Sequence, residues 1–215
     1  MTPIEPPPPT GQQNPRRIIL ASGSRIRRQL LVNAGLTALE VIPADVDEAE
    51  IRAGLLAESD CIEADMVAGV LARAKAEAVS LVNRDALVIG ADQVLALGSR
   101  LFEKPADIAQ ARDHLTRLRG RTHELYSAVV IAEAGEAVWG MVEGARMTMR
   151  AFSDDFLDAY LSRAGDAPLM SVGAYELEGL GLQLFDRIEG DYFTILGLPL
   201  LPLLNELRAR EALAA

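Results

Sequence analysis

The sequence predicts an α/β protein. Short apolar runs of strand length alternate with longer segments whose apolar residues recur at helical spacing. Of the 215 residues, 50% are hydrophobic and 24% charged, the balance of a chain that buries one ordinary core. No apolar run approaches the roughly 20 residues of a membrane helix. A chain of this length fills one sizeable domain or two small lobes sharing a cleft.

Residues 1–15, "MTPIEPPPPTGQQNP", are proline-rich and lack a signal peptide's apolar core. They are expected to form a disordered tail, with residues 16–215 as the folded domain. "RIILAS" (17–22) reads as a strand. "RIRRQLLVNA" (25–34) reads as a helix with Ile26, Leu30 and Leu31 on one stripe, stopped by Gly35. "LEVIPADV" reads as a second extended stretch. Residues 63–80 give the clearest helix, with Val67, Val70, Leu71, Ala74 and Ala78 on one face. "ALVIGA" follows as a strand, then a helix across "DIAQARDHLTRLRG". "THELYSAVVIAEAG" and "AVWGMVEGARMTMRAF" read as paired strands. "SDDFLDAYLSRAG" carries a Ser153 cap, a helix and a Gly165 stop. Glycine-punctuated loop and strand span residues 173–200, and a helix closes the chain.

Composition excludes several classes. A net charge of −10 argues against a nucleic-acid polymer as partner, since such proteins carry a basic face. The lone Cys61 excludes an internal disulfide framework and suits a reducing cytoplasm. Its neighbours Asp60 and Glu63 disfavour a reactive thiolate. A membrane partner is not expected.

Four stretches can carry chemistry. One is the glycine-rich segment 173–200, with Glu176, Glu178, Glu189 and Asp191 among its acids, whose glycines imply tight turns and close backbone approach. In "LASGSRIRRQLL" a strand ends at Ser22 and Ser24, and an arginine-loaded helix follows. Free N–H groups, the positive dipole end and hydroxyls make an anion site, to which Arg25, Arg27 or Arg28 adds a guanidinium. The same pattern also fits a plain N-cap with solvated arginines. In "PADVDEAEI", Asp45, Asp47 and Glu48 suit a hard divalent cation or form an acidic surface turn. Lys75 and Lys104 are either phosphate donors or solvated surface residues. Asp92 stands apart: it follows "ALVIGA" and precedes Val94, Leu95 and Leu97, where an unpartnered carboxylate costs several kcal/mol. It is a tied structural acceptor or it faces a cleft at a strand end. His114 and His123 read as structural, and no serine or cysteine triad pattern accompanies them.

Taken in order, these motifs resemble the Maf family. The resemblance rests on "LASGSRIRRQLL", "DVDE", "AKA", "GAD", "EKP", "GRTHELYSAV", "GAYELEG" and "IEGDYFTILGLPL", and covers residues 17 to about 208. It implies an elongated mixed sheet with flanking helices and two lobes around a deep cleft. The implied activity is cleavage of a nucleoside triphosphate to monophosphate and pyrophosphate with Mg2+ or Mn2+, in the cytoplasm, by a homodimer. It also implies Asp92 as catalytic base, Glu48 with Asp92 near the metal, and Ser22, Ser24, Arg27, Lys75 and Lys104 around the phosphates. Arg25 stands where the family usually has proline, and Ile26 where other members carry arginine or an aromatic at a position tied to base choice. Gln93 and Glu178 are similar to the branch acting on 7-methyl-GTP, whereas the dTTP/UTP branch typically has threonine and glutamine there. Independently, a carboxylate such as Glu178 accepts two hydrogen bonds, matching guanine's adjacent N1–H and 2-amino donors. The alternatives are a dTTP/UTP pyrophosphatase, a phosphatase releasing orthophosphate, and a non-catalytic nucleotide-binding regulator of cell division.

Overall fold

The computed structural model describes residues 16–58 and 63–213, without the side chains of Leu56 and Glu58. The proline-rich segment 1–15 and Cys61 lie outside the described residues. The chain order is β1 (Ile18–Leu20), α1 (Arg25–Asn33), β2 (Glu40–Val41), α2 (Glu48–Glu58), α3 (Ala64–Val82), β3 (Leu87–Leu97) and β4 (Arg100–Phe102). There follow α4 (Ile108–Leu118), β5 (Thr122–Glu133), β6 (Glu136–Met149), α5 (Asp154–Ala164), two short 3-10 turns, β7 (Phe185–Glu189), α6 (Tyr192–Ile195) and α7 (Leu200–Ala209).

One seven-stranded sheet runs β2-β1-β3-β5-β6-β7, with β4 paired to β3. β1 lies parallel to both β2 and β3, and the remaining pairings are antiparallel. The sheet is therefore mixed, as expected. Its long members, β3, β5 and β6, form a meander.

β3 is buried on both sides, which explains its nearly unbroken apolar sequence. Leu87, Ile89 and Ala91 join a core with Leu31 of α1 and Leu203 and Leu207 of α7. On the opposite face, Val94 and Ala96 pack with Val67, Ala68, Leu71 and Ala72 of α3. Strand alternation thus turns Asp92 toward α3 and Gln93 away from it. A third core, built on Leu115, Leu125, Met147, Leu157 and Tyr175, fills the end of the sheet carrying α4 and α5. Gly90 lets α3 approach unusually closely: a Cβ there would stand 2.3 Å from the Ala72 carbonyl oxygen.

Three local expectations are corrected. "LEVIPADV" pairs with β1 only through Glu40 and Val41, plus one bond from the Ile42 amide to the Leu20 carbonyl. Leu39, Ile42 and Ala44 still pack inward, but β1 is itself three residues long and offers no longer ladder. The acidic turn around Glu48 is the start of a helix. Asp47 accepts from the Glu50 amide at 2.9 Å, a cap that outweighs the segment's weak apolar pattern. The stretch before residue 200 holds a 3-10 turn (Leu180–Leu184) and α6, capped by Asp191 onto the Thr194 amide at 3.0 Å.

Candidate active site

The cleft opens where β3 loses a neighbour. β1 pairs with β3 as far as Ile89, and the Ala21 amide adds one more bond to the Ile89 carbonyl. On the far side β4 pairs only from Leu95 onward. Along the intervening edge, the two faces of the strand border one cavity of about 680 Å³. That is why neighbouring Asp92 and Gln93, on opposite faces, both line it.

Asp92 is 6% exposed, yet it borders the cavity rather than being sealed in the core. Its Oδ1 accepts from Lys75 Nζ at 2.6 Å, while Oδ2 is buried with no hydrogen-bond partner. The same ammonium reaches Glu48 Oε1 at 2.7 Å. Lys75 can do this because α3 packs against β3 at Gly90, one strand period from Asp92. Burial pushes the Glu48 carboxyl up, but the hydrogen bond and charge of Lys75, with the charges of Arg52 and Lys104, hold it below its usual value. Lys104, at the base of the loop between β4 and α4, is exposed as a residue and lines the cavity. Partial burial of its ammonium, then the charges of Arg27 and Lys75, lower its pKa.

The loop after β1 contains the expected N-cap. Ser24 is the N-cap of α1, accepting from the Arg27 amide at 3.3 Å. Ser22 Oγ accepts from the Ser24 amide at 3.3 Å and from Arg27 Nη1 at 3.1 Å. Of the three arginines, Arg27 turns inward, whereas Arg25 and Arg28 are exposed. Arg27 is more occupied than expected: Nη1 donates to the Ala91 carbonyl and Nε to the Gly197 carbonyl, each at 2.8 Å. Burial lowers its pKa against the opposing charges of Asp92 and Glu48. Nη2 has no hydrogen-bond partner among the described residues. Ile26 and Glu178 also line the cavity, Glu178 with an exposed side chain.

Sequence reasoning missed several neighbours. Arg52, one helical turn beyond Glu48, donates to Glu103 Oε1 at 2.8 Å and to Glu48 Oε2 at 3.4 Å. Its i,i+4 spacing from Glu48 was the available signal. Ser127, Thr194 and Gly197 surround Gln93 and Arg27 from segments that no local pattern links to them. His123 is structural, as expected: it is buried, bonded through Nε2 to Tyr175 Oη at 2.8 Å, and its pKa is pulled down to about 4 by that burial.

Chemically, two carboxylates and a row of cations face one opening. No three His, Cys, Asp or Glu side chains converge on a point among the described residues. Asp92 and Glu48 nevertheless fit a hard divalent cation that completes its shell with water and substrate oxygens. The unpartnered Asp92 Oδ2 is the observation that favours such a fit.

Fold and cleft first define a class: a mixed α/β protein with an acid-bearing, cation-lined cleft at the open edge of a central strand. Residues 17–210 match the family described as Maf-like protein, and the chain belongs to the Maf family. A relative named 7-methyl-GTP pyrophosphatase from Rhizobium etli is 53% identical, over 89% of this chain and 95% of its own. One named nucleoside triphosphate pyrophosphatase from Caulobacter vibrioides is also 53% identical, over 91% of this chain and 96% of its own. A solved dITP/XTP pyrophosphatase from Mycobacterium abscessus aligns over 91% of this chain and 94% of its own, at 13% identity and TM-score 0.38, too loosely to bear on the fold.

Proposed function

We propose that this Maf-family protein hydrolyses a nucleoside triphosphate to the monophosphate and pyrophosphate. The observation that carries the reading is the meeting of Asp92, Glu48, Lys75 and Lys104 at one cavity, from four separate chain segments. Its Maf relatives with pyrophosphatase names support it.

Lys104, Lys75, the remaining donor of Arg27 and the loop around Ser22 and Ser24 receive the phosphates. Lys75 exchanges its two carboxylate partners for phosphate oxygens, which frees Asp92 Oδ1. Asp92 then takes a proton from a water that attacks the α-phosphorus. The bond from the α-phosphorus to the α,β-bridging oxygen breaks, and pyrophosphate leaves. Glu48 and Asp92 would hold Mg2+ or Mn2+, which would supply charge neutralisation at the phosphate oxygens.

For the base, the reading favours a guanine-type nucleotide, with 7-methyl-GTP as the named substrate. Gln93 and Glu178 on the cleft wall support it, as do the names of several relatives. The test is pyrophosphate release from a panel of 7-methyl-GTP, GTP, UTP and dTTP with each metal. Release from 7-methyl-GTP above all others is expected. Orthophosphate release instead, or no release from any triphosphate, refutes the reading.

A further inference from the structure

Gln93 is held in one orientation by its surroundings. It lies opposite Ser127 in the β3–β5 register, and Ser127 is fully buried. Gln93 Nε2 donates to Ser127 Oγ at 3.0 Å, to the Ile195 carbonyl at 3.0 Å and to the Thr194 carbonyl at 3.3 Å. A backbone carbonyl can only accept, so the amide end facing α6 must be the NH2. Ser127 spends its own proton on the Thr194 carbonyl at 2.7 Å, leaving Oγ as an acceptor toward Gln93. Thr194 is fixed in turn: it is fully buried and its hydroxyl donates to Glu143 at 2.6 Å. Flipping the amide would set Oε1 against two carbonyl oxygens and lose those bonds.

Gln93 also lines the cleft, and none of the hydrogen bonds among the described residues uses its Oε1. We propose that Ser127 and the C-terminal carbonyls of α6 are positioning groups that make Gln93 an acceptor-only reader of the base. With the Glu178 carboxylate on the same cleft, the base subsite offers acceptors and no side-chain amide donor from Gln93. It therefore selects bases presenting adjacent N–H donors, as guanine does through N1–H and its 2-amino group. It rejects uracil and thymine, whose single N–H is flanked by carbonyl oxygens. This rests on the nucleotide reading of the cleft but not on catalysis.

The test is binding of the uncleavable α,β-methylene analogues of GTP and UTP, with tripolyphosphate as a probe of the phosphate half alone. Wild-type protein should prefer the GTP analogue by at least about tenfold, the worth of one good hydrogen bond. Gln93→Met, which keeps the volume and removes the acceptor, should erase most of that preference. Ser127→Ala should reduce it by about threefold. In both variants tripolyphosphate should bind as in wild type. Equal wild-type affinity for the two analogues, an unchanged preference in Gln93→Met, or a parallel loss of tripolyphosphate binding overturns the proposal. Pyrophosphate release from GTP is measured separately. Selective binding without release retains this inference and refutes the hydrolase reading.

Discussion

Gly90→Ala adds one methyl group at the contact that brings Lys75 to Asp92. The new Cβ would lie 2.3 Å from the Ala72 carbonyl oxygen and 2.7 Å from the Ala76 Cβ and amide nitrogen. Ordinary carbon–oxygen contact begins near 3.4 Å, so α3 must withdraw from β3 by about 1 Å. Backbone atoms form the obstacle, so no side-chain rotation relieves it. Overpacking of this kind costs about 1–3 kcal/mol. For a chain of this size that lowers Tm by roughly 2–12 °C. The same withdrawal pulls on the 2.6 Å Lys75–Asp92 contact. A displacement of about 1 Å in a catalytic group lowers turnover by as much as ~100-fold. Thermal melts and initial rates of pyrophosphate release measure the two effects. Gly69→Ala in the same helix is the control: its Cβ meets only Val142 Cγ2 at 3.5 Å, and it should stabilise by about 0.5–1 kcal/mol. A Gly90→Ala protein with wild-type Tm and rate would refute the argument that this approach sets the site.

Asp92→Asn should lower turnover by at least about 100-fold while 7-methyl-GTP still binds, as followed by calorimetry. Lys104→Ala should raise KM more than it lowers kcat, because its ammonium meets bound and transition-state phosphates alike. His123 gives a pH signature in stability. Unfolded, it titrates near 6.5, and folded at about 4, so between these values the unfolded chain binds the extra proton. Wild-type stability should therefore fall as pH drops through that window, by roughly 3 kcal/mol in all. The stability gap between wild type and His123→Gln, from urea melts at pH 7 and pH 4, should shrink by that amount.

The parts of the fold readable in the sequence were those whose cause is local. β3 and α3 announce themselves because burial on two sides or along one stripe leaves a pattern in the residues themselves. Asp92 could be singled out for the same reason, as a charge set in an apolar strand. α2 was misread because its first turn is acidic and its apolar residues are spread around the helix rather than gathered on one stripe, so a cap onto Asp47 decides it. The shortness of β2 depends on what lies beside it. Within the site, Lys75 and Glu48 were identifiable as residues but their shared ammonium was not. Their meeting depends on a glycine contact between a helix and a strand. The anchoring of Gln93 was equally hidden, since its partners lie 34 and about 100 positions along the chain.

The guanidinium of Arg27 clasps the Gly197 carbonyl across 170 positions of sequence. A segment that leaves the ribosome thus waits for one synthesised 170 residues later before its loop is fastened. A nascent chain stalled before that glycine would already carry Asp92, Lys75 and Lys104, yet it would have only an unfinished pocket.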